Sequence, residues 1–155
     1  MQMSPRWKVR PLEHDDWEAW SELYSGYCRF YERQTSDEHL RLIWSWIHER
    51  GSIECLVAVP ADGNGDPIGL AHLRPWIRPL RGIVCGYLDD LFVADEFRGT
   101  GAVEALFEGI SALAVEHDWP LVRWTTADDN YRARAVYDRL ATRTTWITYD
   151  MTIDT

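Results

Sequence analysis

With 155 residues, 46% of them apolar and 26% charged, the chain is sized for one folded domain with a sizeable core. A formal net charge of −9 excludes a general nucleic-acid binder, which needs surplus Lys and Arg, while it suits solubility and a cationic substrate. No apolar run reaches the length of a membrane span.

Three cysteines, Cys28, Cys55 and Cys85, lie far apart in apolar stretches. Their odd number and spacing argue against a disulfide framework or a zinc knuckle, and for buried free thiols. The first residues show neither an apolar h-region nor a cleavage-site pattern, so a cytoplasmic protein is expected.

Trp7–Leu12 is expected as a first strand, after which His14 or Asp15 caps a helix. Trp17, Trp20, Tyr24, Tyr27 and Tyr31 recur at three- and four-residue steps, one aromatic stripe along that helix. Thr35-Ser36-Asp37-Glu38 reads as a capping box, followed by Leu40, Ile43, Trp44 and Ile47 as the apolar face of a second helix that ends at Gly51. Ile53–Val59 is a strand. The Asp62–Gly65 turn leads to its partner, Pro67–Trp76. Arg74–Gly82 is expected as a loop, because two prolines and a glycine interrupt any ladder. Ile83–Val93 is a long strand with Asp89 and Asp90 near its end.

Arg98-Gly99-Thr100-Gly101-Ala102 then opens a helix marked by Val103, Leu106, Phe107, Ile110 and Leu113, which stops at Trp119-Pro120. Leu121–Thr126 is a strand. Asp128-Asp129-Asn130 caps a helix with Ala133, Val136, Tyr137 and Leu140 on its inner face. Thr144–Ile153 is expected as a last strand at an edge or interface. The order β-α-α-β-β-β-α-β-α-β describes a mixed α/β chain around one central sheet.

The glycine loop carries the chemistry. Glycines let the backbone turn tightly and approach a ligand closely. The first N–H groups of the following helix lack intrahelical partners and sit at the positive end of its dipole, a seat for a phosphate or pyrophosphate. Arg98 is placed to add a charge-assisted contact. The Lys-Ser/Thr ending of a nucleoside-triphosphate loop and the third glycine of a dinucleotide fingerprint are both missing.

The strand Tyr87-Leu-Asp-Asp-Leu-Phe-Val93 followed by Arg98-Gly-Thr-Gly-Ala-Val103 resembles the cofactor motif of the GNAT acetyltransferase superfamily. The likeness extends from Trp7 to Tyr149 in element order. Trp124-Thr-Thr, Asn130, Ala133-Arg-x-Val-Tyr137-Asp138 and the following Ala141–Tyr149 segment are most similar to the diamine and polyamine and fungal histone/polyamine branch. The resemblance implies the GNAT fold, with a mostly antiparallel sheet flanked by helices. It implies acetyl-CoA as cosubstrate, its pyrophosphate held by the backbone of Arg98, Gly99, Thr100, Gly101, Ala102 and Val103. Leu91, Phe92 and Val93 would pair with its pantetheine arm, Asn130 would touch it, and a backbone N–H near Leu91 would meet the oxyanion. Val103 departs from the pattern, which usually has Gly or Ala there; pointed into the core, its branch is harmless.

The implied reaction moves the acetyl group to a primary amine by direct attack in a ternary complex. An alkyl ammonium has a pKa of about 10.4, so a proton acceptor is needed on the substrate side. Asp89 and Asp90 are neighbours on a strand and so are expected on opposite faces. By the resemblance Asp89 contacts the amine or takes its proton, and Tyr137 protonates the departing sulfur. Asp89 as a cation anchor and Tyr137 as a core aromatic are the plainer readings. Tyr27, Tyr31 and His72 are expected around the acceptor. A polyamine, diamine or Lys-type acceptor suits the acidic balance, and a homodimer suits the last strand. The alternatives are a non-catalytic module that binds CoA or a protein, and an acetyltransferase for an antibiotic, an amino acid or a protein N-terminus.

Overall fold

The aromatic stripe becomes helix α1 (Trp17–Phe30), which buries Trp20, Leu23, Tyr24 and Cys28. A computed structural model describes residues 5–154. The other elements, in chain order, are β1 (Trp7–Pro11), α2 (Asp37–His48), β2 (Glu54–Pro60), β3 (Gly69–Arg78), β4 (Ile83–Val93), α3 (Ala102–Glu116), β5 (Val122–Arg123) and α4 (Tyr131–Leu140). The chain divides after Trp124 into two compact units.

In the first unit five strands form one sheet in the order β1-β2-β3-β4-β5. Neighbours are antiparallel except β4 and β5, which are parallel. This is the mixed α/β, mostly antiparallel architecture expected from the sequence. β2 shows how the layers arise. Leu56 and Ala58 belong to a core that includes Leu106 and Ile110 of α3. Val57 and Val59 belong to a second core with Trp20, Leu23, Leu40 and Ile43 of α1 and α2. Alternation with apolar residues on both sides thus buries both faces of the strand. Each fully buried Leu, such as Leu70, Leu73 or Leu106, contributes about 1.5–3 kcal/mol.

The N-terminal ends of the first two helices differ: Asp16, not His14 or Asp15, precedes α1 and caps none of its N–H groups, whereas α2 has a side-chain cap. Arg10 of β1 donates to both oxygens of buried Asp16, at 2.7 and 2.9 Å, just before α1. Ser36 caps α2 by accepting from the His39 N–H at 3.1 Å, one residue later than the Thr35–Glu38 capping box would place it. All three cysteines are free and buried.

Three expectations change. β3 runs through the Arg74–Gly82 stretch as far as Arg78, pairing Pro75 with Gly86; only Pro79–Arg81 turns. β2 ends opposite Leu73, so beyond it β3 is an edge strand, where proline is tolerated. The strand expected over Leu121–Thr126 shrinks to Val122–Arg123. The strand expected over Thr144–Ile153 does not form. Strand structure needs a ladder partner, and among the described residues none pairs with this segment; Trp146, Ile147, Tyr149, Met151 and Ile153 stand exposed.

Candidate active site

The loop between β4 and α3 owes its shape to two glycines. Gly99 and Gly101 have φ of 73° and 86°, in the left-handed region, with open space where a side chain would begin. Gly101 is the N-cap of α3 and supplies no side-chain cap, so the first N–H groups of that helix stay available to a ligand. Anchors hold the loop from behind. The Trp7 indole donates to the Thr100 carbonyl at 3.0 Å and its hydroxyl at 3.1 Å, and that hydroxyl donates to the Phe97 carbonyl at 2.5 Å.

Ala102 is buried and Val103 packs half-buried against the α3-side core, so the branch that departs from the family pattern is turned into the protein. Arg98 is used differently from the expected phosphate contact. Its Nε donates to the Val93 carbonyl at 3.2 Å, it pairs with Asp95 at 2.8 Å, and it lies over the rings of Phe30 and Phe92. It braces the end of β4. A cleft of about 910 Å³ opens there, lined among others by Gly26, Phe30, Phe92 and Arg98.

β4 has an open side. β5 pairs only with Gly86 and Tyr87, so among the described residues no strand continues along that edge from Leu88 to Val93. Leu91 packs towards α3 and Phe92 towards α1, while Val93 is buried. Apart from the Val93 carbonyl, which Arg98 takes, the backbone of this stretch is suited to an extended ligand that adds as a strand would.

The other face of β3 and β4 meets α1, and there a bulge decides the geometry. His72 pairs with Asp90 and Leu73 with Leu88, leaving Asp89 as the extra residue of β4. The bulge breaks the alternation that was expected to send Asp89 and Asp90 to opposite faces. Asp90 meets His72 at 2.8 Å and Asp89 meets Arg74 at 2.9 Å; His72 and Arg74 are two residues apart on β3 and share a face. Both carboxylates act on Tyr24 of α1.

His72, expected at the acceptor site, is fully buried, and both its ring nitrogens are engaged. The Trp20 indole N–H, which can only donate, reaches Nε2 at 3.0 Å. Nε2 therefore accepts, the ring proton sits on Nδ1, and Nδ1 donates to Asp90. Burial pushes the Tyr27 phenol well up, Asp90 adds to the shift, and Tyr27 remains a donor. Burial likewise raises Tyr24, with the two aspartates adding. Tyr31 packs edge-on against Tyr27 and is 39% exposed. Burial lifts the Asp89 carboxyl above the usual aspartate range; Arg74 opposes the shift and Asp90 adds to it.

Trp20, Asp90 and Arg74 are thus parts of the site beyond those expected. Leu88-Asp-Asp-Leu91 carried the signal: two apolar residues facing one core, separated by two residues where alternation allows one.

In the second unit, Asn130 caps α4 as expected, accepting from the Ala133 N–H at 3.5 Å and donating to Thr126 at 3.2 Å. Tyr137 is half-buried two turns into α4. Arg134 donates to the Asp128 carbonyl, bracing the same turn.

Residues 17–141 match the model of the acetyltransferase (GNAT) family. The D-amino-acid N-acetyltransferase HPA3 of Saccharomyces cerevisiae is 28% identical over 91% of this chain and 88% of its own. Among solved structures, a probable acetyltransferase has TM-score 0.84 at 22% identity, covering 96% of this chain and 99% of the other. AAC(6')-Iy, solved with a CoA-containing bisubstrate analogue, has TM-score 0.81 at 16% identity, covering 97% and 100%. The ribosomal-protein-alanine N-acetyltransferase of Brucella melitensis has TM-score 0.77 at 19% identity, covering 95% and 99%. These likenesses show the fold, and the family match sets aside the reading of a non-catalytic module. The chain belongs to the GNAT acetyltransferase family and is an acetyl-CoA-dependent N-acetyltransferase.

Proposed function

We propose that the protein acetylates a primary amine of polyamine, diamine or Lys type by direct attack in a ternary complex. Acetyl-CoA supplies the activated acyl thioester. The glycine loop and the N-terminus of α3 fit its pyrophosphate, since both glycines leave open space and the helix is uncapped. The free edge from Leu91 to Val93 fits its extended arm, and Asn130 is the further contact that the family resemblance implies.

The observation that carries the reading is the bulge of β4, which brings the carboxylates of Asp89 and Asp90 to one face. Asp90 is held by His72, while Asp89, paired with Arg74, is the more exposed of the two and receives the amine. Its raised carboxyl suits a proton acceptor, because a base works best when its pKa approaches the working pH. Tyr27 and Tyr31 offer ring faces to a cation. His72 acts from behind, as a positioning residue for Asp90. Tyr137 gives a proton to the departing sulfur. The nitrogen–carbon bond forms, the carbon–sulfur bond breaks, and one amine proton leaves through Asp89.

A second reading, an amino acid as acceptor, is favoured by Arg74, whose guanidinium stands beside Asp89 and suits an α-carboxylate. The name of the yeast relative points the same way. The protein is further read as a cytoplasmic homodimer.

An amine panel with acetyl-CoA tests the reaction. Tyr137→Phe is expected to lower turnover about 100-fold while acetyl-CoA affinity, measured by calorimetric titration, holds. Equal turnover would remove Tyr137 from its role.

A further inference from the structure

The hairpin of β3 and β4 is charged unlike the rest of the molecule. Between Asp66 and Asp89 it carries Arg74, Arg78 and Arg81 and no acidic residue, in a chain with 25 acids against 16 basic side chains. Register sets two of its residues and one from β5 side by side. Arg74 pairs with Tyr87, and Tyr87 pairs with Arg123, so the three form a row across β3, β4 and β5. Trp76 and Arg78 follow on the same face of β3, two and four residues beyond Arg74.

The side chains interleave along that face. Arg74 lies over the Tyr87 ring at 4.7 Å. Tyr87 meets Trp76 edge-on at 5.7 Å. Arg78 and Arg123 each lie 4.9 Å from the centre of the Trp76 ring. Arg74 spends its charge on Asp89. Arg78 and Arg123 have no acidic partner within 4 Å among the described residues.

A guanidinium stacked on a ring uses its face, and its in-plane N–H groups stay free to grip an anion. Two such groups fixed by one indole, at the end of a row that starts at Asp89, make a second pole. One end of the face takes an ammonium and the other takes carboxylates. Strand geometry puts Arg78 about 13 Å along β3 from Arg74, the reach of about four extended residues. A free amino acid is too short to span this, and a polyamine meets the wrong charge.

We propose that Arg78 and Arg123, held by Trp76, bind the acidic part of the acceptor, and that the acceptor is a primary amine borne on an acidic peptide. This rests on the amine-acetylation reading and selects among its Lys-type substrates.

The test uses blocked peptides with one lysine, carrying either aspartates or asparagines three and four residues beyond it, with spermidine as the polycationic comparison. Binding is measured calorimetrically in the presence of CoA, and acetylation separately. The aspartate peptide is expected to bind about tenfold tighter than its asparagine twin. That ratio should fall towards one in the Arg78→Gln/Arg123→Gln variant and, in the unaltered protein, with added salt. Equal binding of the two peptides, a ratio untouched by the double variant, or spermidine binding tightest would each overturn the proposal. Preferential binding without any acetylation would leave Arg78 and Arg123 as an acidic-peptide site and sink the amine-acetylation reading, and with it the peptide's role as acceptor. Acetylation of both peptides with equal affinity would do the reverse.

Discussion

The two halves of the site are made of different materials. The glycine loop is a backbone device: two left-handed residues, an uncapped helix and one indole from β1 that grips Thr100. The α1 face is a side-chain device, a circuit in which Trp20 donates to His72 and His72 donates to Asp90. The loop depends on left-handed backbone that a residue with a Cβ rarely adopts. The circuit depends on each donor and acceptor and on a bulge that aligns them. A buried network of this kind is either complete or costly.

Substitutions can break that contrast. The largest effect is expected for His72→Leu, which leaves the Trp20 N–H and the Asp90 carboxylate without their partner. About 3 kcal/mol of stability should be lost in denaturant unfolding. A loss below about 1 kcal/mol would mean that the circuit is not a unit.

Gly101→Val comes next. A β-branched residue at that φ costs about 1–2 kcal/mol, and its side chain fills the open space, so acetyl-CoA affinity should weaken about tenfold or more. Unchanged affinity in a calorimetric titration would show that the loop binds nothing there.

Thr100→Val sharpens the comparison. It removes the hydroxyl that links Trp7 to the Phe97 carbonyl and should cost about 1 kcal/mol. The loss should appear as faster amide exchange confined to the loop; a fold-wide change would contradict it.

The smallest effect is one of pH. The folded state raises the Asp89 carboxyl, so it favours the protonated form. The unaltered protein should therefore gain stability relative to Asp89→Asn as pH falls from neutrality through that raised value. A difference that stays flat with pH, followed by thermal unfolding, would contradict the shift.

Much of the backbone device was legible in the sequence. Gly99 and Gly101 stand where only glycine is comfortable, and the apolar period of α3 starts directly after them. Helices α1 and α2 and the cap at Asn130 could be read because short-range periodicity and hydrogen bonding create them. The side-chain device was legible only in part. Adjacent residues on a strand are expected on opposite faces, and only pairing with β3 shows that Asp89 is the inserted one. His72 read as a residue lining the acceptor site because nothing in the sequence brings Trp20 to its Nε2. Pro75 looked like a loop residue because the end of β2, which makes β3 an edge strand there, is a tertiary fact. The last segment alternates like a strand, yet alternation names a face and not a neighbour.

The three thiols have a consequence for kinetics. Cys28 lies in α1, Cys55 in β2 and Cys85 in β4, and all are buried. Burial pushes the Cys55 thiol well up, so even a small reagent that reached it would find little thiolate. Labelling should wait for each element to open. The protein therefore carries three built-in clocks, and the order in which they are stamped by a thiol reagent under native conditions would give the order in which helix, inner strand and site strand come loose.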